Sequence, residues 1–278
     1  MPSAAPANYV LGHSLHEQER LMLQGRFLRP YTERFFRAAG IVPGMRVLDL
    51  GSGMGDVALL AGDIVGPGGC VVGVDRDPSA LQRARQRAAE QGCSTWVRFE
   101  QSTLEEFSTD ERFEAVVGRF VLLYQPDPAA TLRRMTSFLK PGGIVAFHEM
   151  DFSFVDSSYP ECRLWNLCAG LIAEVFRASG LPPDRGRHLA RIYLDAGLPY
   201  PTLVGEIPTG GGRHSYLFPW IANTLRSLAP RLAALGLVPP EGVALDDTLA
   251  GRMEEETVAL GGQLSGPPQF GAWSRIEG

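Results

Sequence analysis

From Arg46 onward the chain alternates short, largely β-branched apolar runs with stretches of helix length. The runs are Val47-Leu48-Asp49-Leu50, Cys70-Val71-Val72-Gly73-Val74-Asp75, Trp96-Val97-Arg98-Phe99, Ala115-Val116-Val117 and Ile144-Val145-Ala146-Phe147. The spacing predicts helices over 55–65, 78–91 and 127–139 between them. Near-continuous apolar runs suit strands covered on both faces, and strand–helix–strand crossovers are right-handed and build a parallel sheet. The expected fold class is therefore α/β, with a mostly parallel sheet and helices on both of its faces.

Two further parts flank this core. Residues 8–40 carry Leu15, Leu21, Leu23, Phe27, Leu28, Tyr31, Phe35 and Phe36 at helical spacing, and the pattern stops at Gly40. After Asp151 the alternation lapses into helical patterns over Tyr159–Arg177, Asp184–Ala196, 214–235 and 245–262, with extended runs at Thr202–Ile207 and Gln269–Ile276. The expected division is an N-terminal helical cover over 1–40, a nucleotide-binding core over 41–151, and a helical lid with the last strands over 152–278. Gly210-Gly211-Gly212 and Leu237–Glu241 are the expected flexible joints.

Composition narrows the class. With 278 residues the chain can bury a core without disulfide staples. Its 26 Lys+Arg against 31 Asp+Glu give a net charge of −5, a poor match to nucleic acid. Cys70, Cys93, Cys162 and Cys168 form no CxxC pair, so neither a zinc ribbon nor a disulfide framework is expected. The start lacks a basic and apolar leader, and no stretch approaches the roughly 20 apolar residues of a membrane helix. The expectation is a soluble, cytoplasmic protein without a membrane partner, monomeric or homodimeric.

Val47 to Gly55 ends the first run in a glycine turn that opens a helix. Glycines there let backbone amides approach a ligand, and the helix N-terminus favours electron-rich groups. Asp75 ends the second run, where a carboxylate can accept from both hydroxyls of an adenosine ribose; its competing role is to cap the helix that begins near Pro78. A dinucleotide fingerprint needs glycine at position 56, which holds Asp56, and no Gly-Lys-Ser/Thr ending marks a P-loop.

This stretch resembles the class I S-adenosylmethionine-dependent methyltransferases, and most of all their UbiE-like small-molecule branch. The motifs are Val47–Gly55, Val72–Asp75, Phe113–Tyr124 and Leu139-Lys140-Pro141-Gly142-Gly143; they cover 41–151 well and the rest loosely. The resemblance implies a Rossmann-like, mostly parallel seven-stranded sheet, with S-adenosylmethionine as cofactor, S-adenosylhomocysteine as product and no metal. It places Gly51 and Gly53 against the methionine part, with Asp49 and Ser52 in the same turn, Asp75 on the ribose and Arg76 beside the adenine. Ser102, Thr103 and Leu104 fall beside the adenine ring, and Arg119 and Phe120 face the sulfonium side. Thr103 stands where the family often has Asp, so a hydroxyl, a main-chain carbonyl or another acid would hold the adenine amino group.

A sulfonium methyl group is already activated, so the protein must align an acceptor, exclude water and, where needed, take a proton. Gly118-Arg119-Phe120-Val121 replaces the Asn/Asp-Pro-Pro-Tyr/Phe motif of base methylation, and no acidic cluster there would hold Mg²⁺. That leaves a small organic acceptor. His148-Glu149-Met150-Asp151 follows the fifth run at the ligand end of the sheet, which makes Glu149 and His148 candidate bases, only one of which faces the pocket if the strand continues. Glu149 or Asp151 can equally cap the next segment. His13 is a third candidate base, and Tyr9, Asp151, Trp165, His214 and Phe218 are candidate acceptor contacts. His16 and Arg213 lie near them, and Phe152, Phe154, Tyr159, Phe176, Tyr216 and Trp220 form either an apolar cage or plain core.

The function read from the sequence is methyl transfer to an oxygen, nitrogen or nucleophilic carbon of a small, mostly apolar or aromatic metabolite, such as an indole, in specialised metabolism. The alternatives are a quinone-type C-methyltransferase and a non-catalytic S-adenosylmethionine-binding sensor or scaffold.

Overall fold

In a computed structural model, residues 15–154 and 157–277 are described, with side chains in the first helix from Arg20 onward. Helix α1 (Leu15–Ala39) leads into β1 (Arg46–Leu50), α2 (Asp56–Val65), β2 (Cys70–Asp75), α3 (Pro78–Glu90), β3 (Val97–Gln101), β4 (Phe113–Arg119), α4 (Pro128–Thr136) and β5 (Leu139–Met150). Then come β6 (Ser158–Tyr159), α5 (Arg163–Ala178), α6 (Leu189–Asp195), β7 (Thr202–Glu206), β8 (Thr209–Gly210), α7 (Leu217–Leu235), α8 (Leu249–Ala259), β9 (Gln263–Ser265) and β10 (Gln269–Arg275).

Seven strands form one sheet in the order β3-β2-β1-β4-β5-β10-β7. The pairs among β1 to β5 are parallel, and β10 runs antiparallel to both β5 and β7. This is the mostly parallel Rossmann-like sheet expected. The strand order reverses between β1 and β4, where Leu50 lies opposite Gly118, and ligands of open α/β sheets bind at such a switch point.

Strand alternation sorts the core onto two faces. Val47, Ala115, Val117, Ile144 and Ala146 pack with Phe35 and Phe36 of α1 and the apolar side of α2. Leu48, Val72, Val116, Val145 and Phe147 pack on the other face with Leu132, Leu189, Ile192 and Tyr193. The same alternation, carried to the strand ends, puts Asp49, Arg119 and His148 on the α1 face and Glu149 on the opposite one.

The helices of the last part build a third core. Trp165, Leu171, Phe176, Phe218, Trp220, Leu225, Leu249 and Met253 bury one another and close on Leu123, Met150 and Phe152. Three details differ from the sequence expectations. Helix α4 ends at Thr136, because β5 already begins at Leu139 and takes Pro-Gly-Gly into a register shift opposite Phe113 and Ala115. Helix α5 begins at Arg163 instead of Tyr159, since Ser158 and Tyr159 pair with β9 and Pro160 has no amide for a helical ladder. Gly210 is a strand residue paired with Leu264, so the glycine run is stitched into a second sheet, β6-β9-β8.

Candidate functional site

The glycine turn is shaped by its own backbone. Ser52 donates its amide to the Val74 carbonyl at 3.0 Å, which ties the turn to the end of β2, and Gly55 donates to the Ser52 carbonyl at 2.8 Å. Gly53 has φ 49° and nothing within 4 Å of where a side chain would begin, so its outer surface is open. Asp75 closes the turn from the side: Oδ2 accepts the Gly53 amide at 2.8 Å and Oδ1 the Asp77 amide at 2.9 Å. The cap of α3 is Asp77, which accepts from Ser79 at 2.8 Å. Asp75 is thereby free of the capping role, and each of its oxygens retains a lone pair for a further donor.

Beneath the turn lies an unmet demand. Both carboxylate oxygens of Asp49 and the hydroxyl of Ser52 are buried with no hydrogen-bond partner. Leaving a buried polar group unsatisfied costs about 1–3 kcal/mol, more for a charge. Burial pushes the Asp49 carboxyl well above its usual range, and the nearby Arg119 guanidinium pulls against that shift. A cationic ligand group with donors to spare would answer the carboxylate, and the amino-acid end of S-adenosylmethionine carries an ammonium.

Arg119 ends β4 and donates through Nη1 to the Thr32 hydroxyl of α1 at 3.1 Å. Phe120, next in the chain, sits at φ 58°, a left-handed conformation that side chains rarely adopt and that concentrates at functional turns. Its amide donates to the His148 carbonyl at 2.9 Å, and its ring lies edge-on to the His148 ring at 5.5 Å. The two candidate bases of β5 both have partners. His148 Nδ1 is 3.2 Å from Thr32 Oγ1 and Nε2 is 3.1 Å from Gln269 Oε1, and burial lowers the imidazole pKa to about 3 with help from the Arg119 charge. Glu149, on the other face, accepts the amides of Val121 and Leu122 through Oε1 at 2.9 and 2.7 Å. Burial raises its pKa to about 7 against the pull of those amides and of Arg185.

The loop after β3 is brought beside Asp75, since Ser102 donates its amide to the Asp75 carbonyl at 3.0 Å. Its Thr103 hydroxyl donates to Glu106 at 3.2 Å, and Arg134 holds the Leu104 carbonyl at 3.1 Å. Arg76 is exposed at the mouth of this corner. Asp49, Gly51, Ser52, Gly53, Asp75, Arg76, Ser102, Thr103, Leu104, Arg119 and Phe120 thus fall along the carboxyl ends of β1 to β4.

The other candidates are placed elsewhere. Asp151 Oδ1 accepts the Ser153 amide and hydroxyl at 2.7 and 2.6 Å, and Oδ2 accepts from Arg187. Trp165 donates to Ser157 at 2.9 Å inside the core formed by α5, α7 and α8, Phe218 is buried in the same core, and His214 is exposed with its amide on Glu254. Tyr9 and His13 lie outside the described residues, as does the side chain of His16. Sequence reasoning missed Gln24, Thr32 and Gln269. Gln24 accepts from Arg20 at 2.7 Å and from Trp220 at 3.2 Å, and it joins α1 to α7 where Phe27 stacks on Tyr216 at 3.7 Å. Nothing local marks these residues, because each is defined by a partner far along the chain. A cleft of about 300 Å³ opens on the outer side of the turn between α1, α2 and α3, but its charged lining is largely spent on Asp56, Asp63 and Glu90.

Among the described residues, no group of three or more His, Cys, Asp or Glu is placed to hold a metal ion, and no helix is long and apolar enough to cross a membrane. The fold and the glycine turn define the class of S-adenosylmethionine-dependent methyltransferases with a Rossmann-like core. The methyltransferase domain model matches residues 41–192, and the chain belongs to that family. It is 35% identical over 135 residues to the ubiquinone/menaquinone biosynthesis C-methyltransferase UbiE of Ectopseudomonas mendocina, covering 47% of this chain and 53% of that protein. It is 31% identical over 121 residues to the aklanonic acid methyltransferase DauC of Streptomyces sp., covering 44% and 55%. The matches span between 38% and 55% of the length of these and other curated relatives. The geranyl diphosphate C-methyltransferase of Streptomyces coelicolor shares the fold over 96% of this chain and 88% of its own, at 17% identity and a TM-score of 0.52. The [4+2]-cyclase SpnF does so over 90% and 81%, at 20% identity and a TM-score of 0.53.

Proposed function

We propose that this chain transfers a methyl group from S-adenosylmethionine to an oxygen, nitrogen or nucleophilic carbon of a small, mostly apolar metabolite. The observation that carries the reading is the turn itself: buried, unpartnered Asp49 and Ser52 atoms below, open Gly53 above, and Asp75 beside it with acceptor capacity to spare. S-Adenosylmethionine supplies an activated methyl group on a sulfonium. In this reading Asp49 takes the ammonium end, Asp75 the ribose hydroxyls, and the Ser102–Leu104 loop flanks the adenine. Arg119, a cation beside a sulfonium, is better matched to the carboxylate of the amino-acid end than to the sulfonium.

The chain's contribution to the reaction is alignment and exclusion of water. Both ring nitrogens of His148 are committed to hydrogen bonds, and Glu149 lies on the sheet face opposite Asp49 and Arg119 with Oε1 on backbone amides, which favours an acceptor that is nucleophilic without a strong protein base, such as an amine, a phenolate or an electron-rich carbon. The similarity to UbiE favours a quinol-type carbon acceptor as the second reading.

Calorimetric titration with S-adenosylmethionine, S-adenosylhomocysteine and NAD tests the cofactor assignment. Binding of the first two without NAD is expected, and binding of NAD alone overturns it. Incubation with labelled S-adenosylmethionine and a panel of phenols, indoles and reduced quinones then tests transfer. A protein that binds the cofactor and methylates nothing in such a panel would point to the sensor alternative.

A further inference from the structure

Four residues from four separate elements form one row that runs from the half-buried Arg119 of β4 inward: Arg119, Thr32 of α1, His148 of β5 and Gln269 of β10. Thr32, His148 and Gln269 are each no more than 3% exposed. The row ends on the Pro267 carbonyl, which can only accept. Gln269 Nε2 donates to it at 2.7 Å, which turns Oε1 of the same amide toward His148 Nε2 at 3.1 Å. An amide oxygen only accepts, so Nε2 carries the imidazole proton. Nδ1 then presents a lone pair to Thr32 Oγ1 at 3.2 Å, and the hydroxyl must donate to it. At the far end, Arg119 can only donate, and it reaches the same hydroxyl oxygen at 3.1 Å.

The hydroxyl has one proton and a second acceptor in reach, the Leu28 carbonyl at 3.1 Å. Giving the proton to Leu28 would leave two lone pairs facing each other unless His148 were doubly protonated. Burial and the adjacent guanidinium oppose that charge. A row with a donor-only group at one end and an acceptor-only group at the other has a single direction throughout.

We propose that His148 is a positioning residue: a neutral imidazole, protonated on Nε2, that orients the Thr32 hydroxyl so that its free lone pair holds Arg119 over the glycine turn. It follows that α1 is seated on the sheet end through the same contact that places the guanidinium, and that His148 has no free lone pair with which to take a proton from an acceptor. The effect on cofactor affinity rests on the reading of the site given above, whereas the tautomer does not.

Two measurements separate these parts. In ¹⁵N-labelled protein, which has five histidines, the signals lost in His148→Gln identify the residue. A pyrrole-type Nε2 and a pyridine-type Nδ1 that stay fixed between about pH 5 and pH 8 are expected. Titration in that range, or a proton on Nδ1, overturns the proposal. With S-adenosylhomocysteine as the calorimetric probe, Thr32→Val and His148→Leu should each weaken binding about tenfold or more, as expected for loss of a hydrogen bond to a charged group. The double variant should be no weaker than the poorer single one, because both act on one row. Thr32→Ser and His148→Gln, which keep a donor and an acceptor, should restore most of the affinity. Additive losses, or normal affinity in Thr32→Val, overturn the proposal. If the unaltered protein does not bind the probe, the cofactor reading fails and the tautomer measurement still decides the role of His148.

Discussion

Glu149 Oε1 accepts the amide of Leu122 at 2.7 Å, and the same oxygen also holds the Val121 amide, so a buried carboxylate fastens the turn that carries Phe120. Its other oxygen and Nε of Arg185 are both buried without a hydrogen-bond partner. The folded-state pKa of about 7 lies above the ordinary 4.5, so the folded protein binds more protons than the unfolded chain between those values. Stability should therefore fall as pH rises from about 4.5 to about 7 and then level off, by on the order of 3 kcal/mol from this group alone. Glu149→Gln keeps the acceptor oxygen and removes the titration. Chemical denaturation across this range should show the variant gaining stability relative to the unaltered protein as pH rises, and a more stable variant at pH 8; an unchanged slope would show that Glu149 does not titrate as inferred.

His148 works in the opposite sense. Its folded-state pKa of about 3 lies below 6.5, so the unfolded chain binds the proton first, and stability is lost as pH falls below about 6.5. Between about 4.5 and 6.5 the two groups oppose each other at about 1.4 kcal/mol per pH unit each, and their sum is nearly flat. His148→Gln should uncover a falling limb there, and Glu149→Gln a rising one. Parallel denaturation series of the two variants check this; equal slopes in both would refute the assignment.

Asp75 and Asp77 separate binding from capping. Asp75→Ala removes the acceptor for the proposed ribose hydroxyls and should weaken S-adenosylhomocysteine binding by about tenfold to a hundredfold. Asp77→Ala removes the cap of α3, so it should cost about 1 kcal/mol of stability or more with affinity kept. Calorimetry on both variants is the check, and equal affinity losses would sink the distinction.

The glycines of the turn divide in the same way. At Gly55, φ is 83° and a side chain would begin 2.9 Å from Phe99, so Gly55→Ala should cost stability beyond the roughly 1–2 kcal/mol of left-handed strain alone. At Gly53 nothing lies within 4 Å, so Gly53→Ala should carry the strain alone while its methyl group intrudes on the open surface. Thermal unfolding should rank Gly55→Ala as the less stable variant and calorimetry Gly53→Ala as the weaker binder relative to its stability. The reverse order would mean that Gly53 does not face the ligand.

What the amino-acid sequence determined by itself was local and periodic. The β-branched runs, the helix-length spacing between them and the Val47–Gly55 turn specify a parallel α/β sheet, because strand and helix periodicities are set by near neighbours. The alternation of β5 likewise separates His148 from Glu149. Only the tertiary structure decided what those two residues do, since the partners of His148 stand 116 and 121 residues away and the amides held by Glu149 27 and 28 away. The same holds for Trp165 and Phe218, aromatic side chains that suit a substrate cage equally well until packing encloses them in the core of α5, α7 and α8. Strands of two or three residues such as β6, β8 and β9 carry no period to read. A hydrogen bond has direction and a partner, and neither exists in the sequence until the chain has folded.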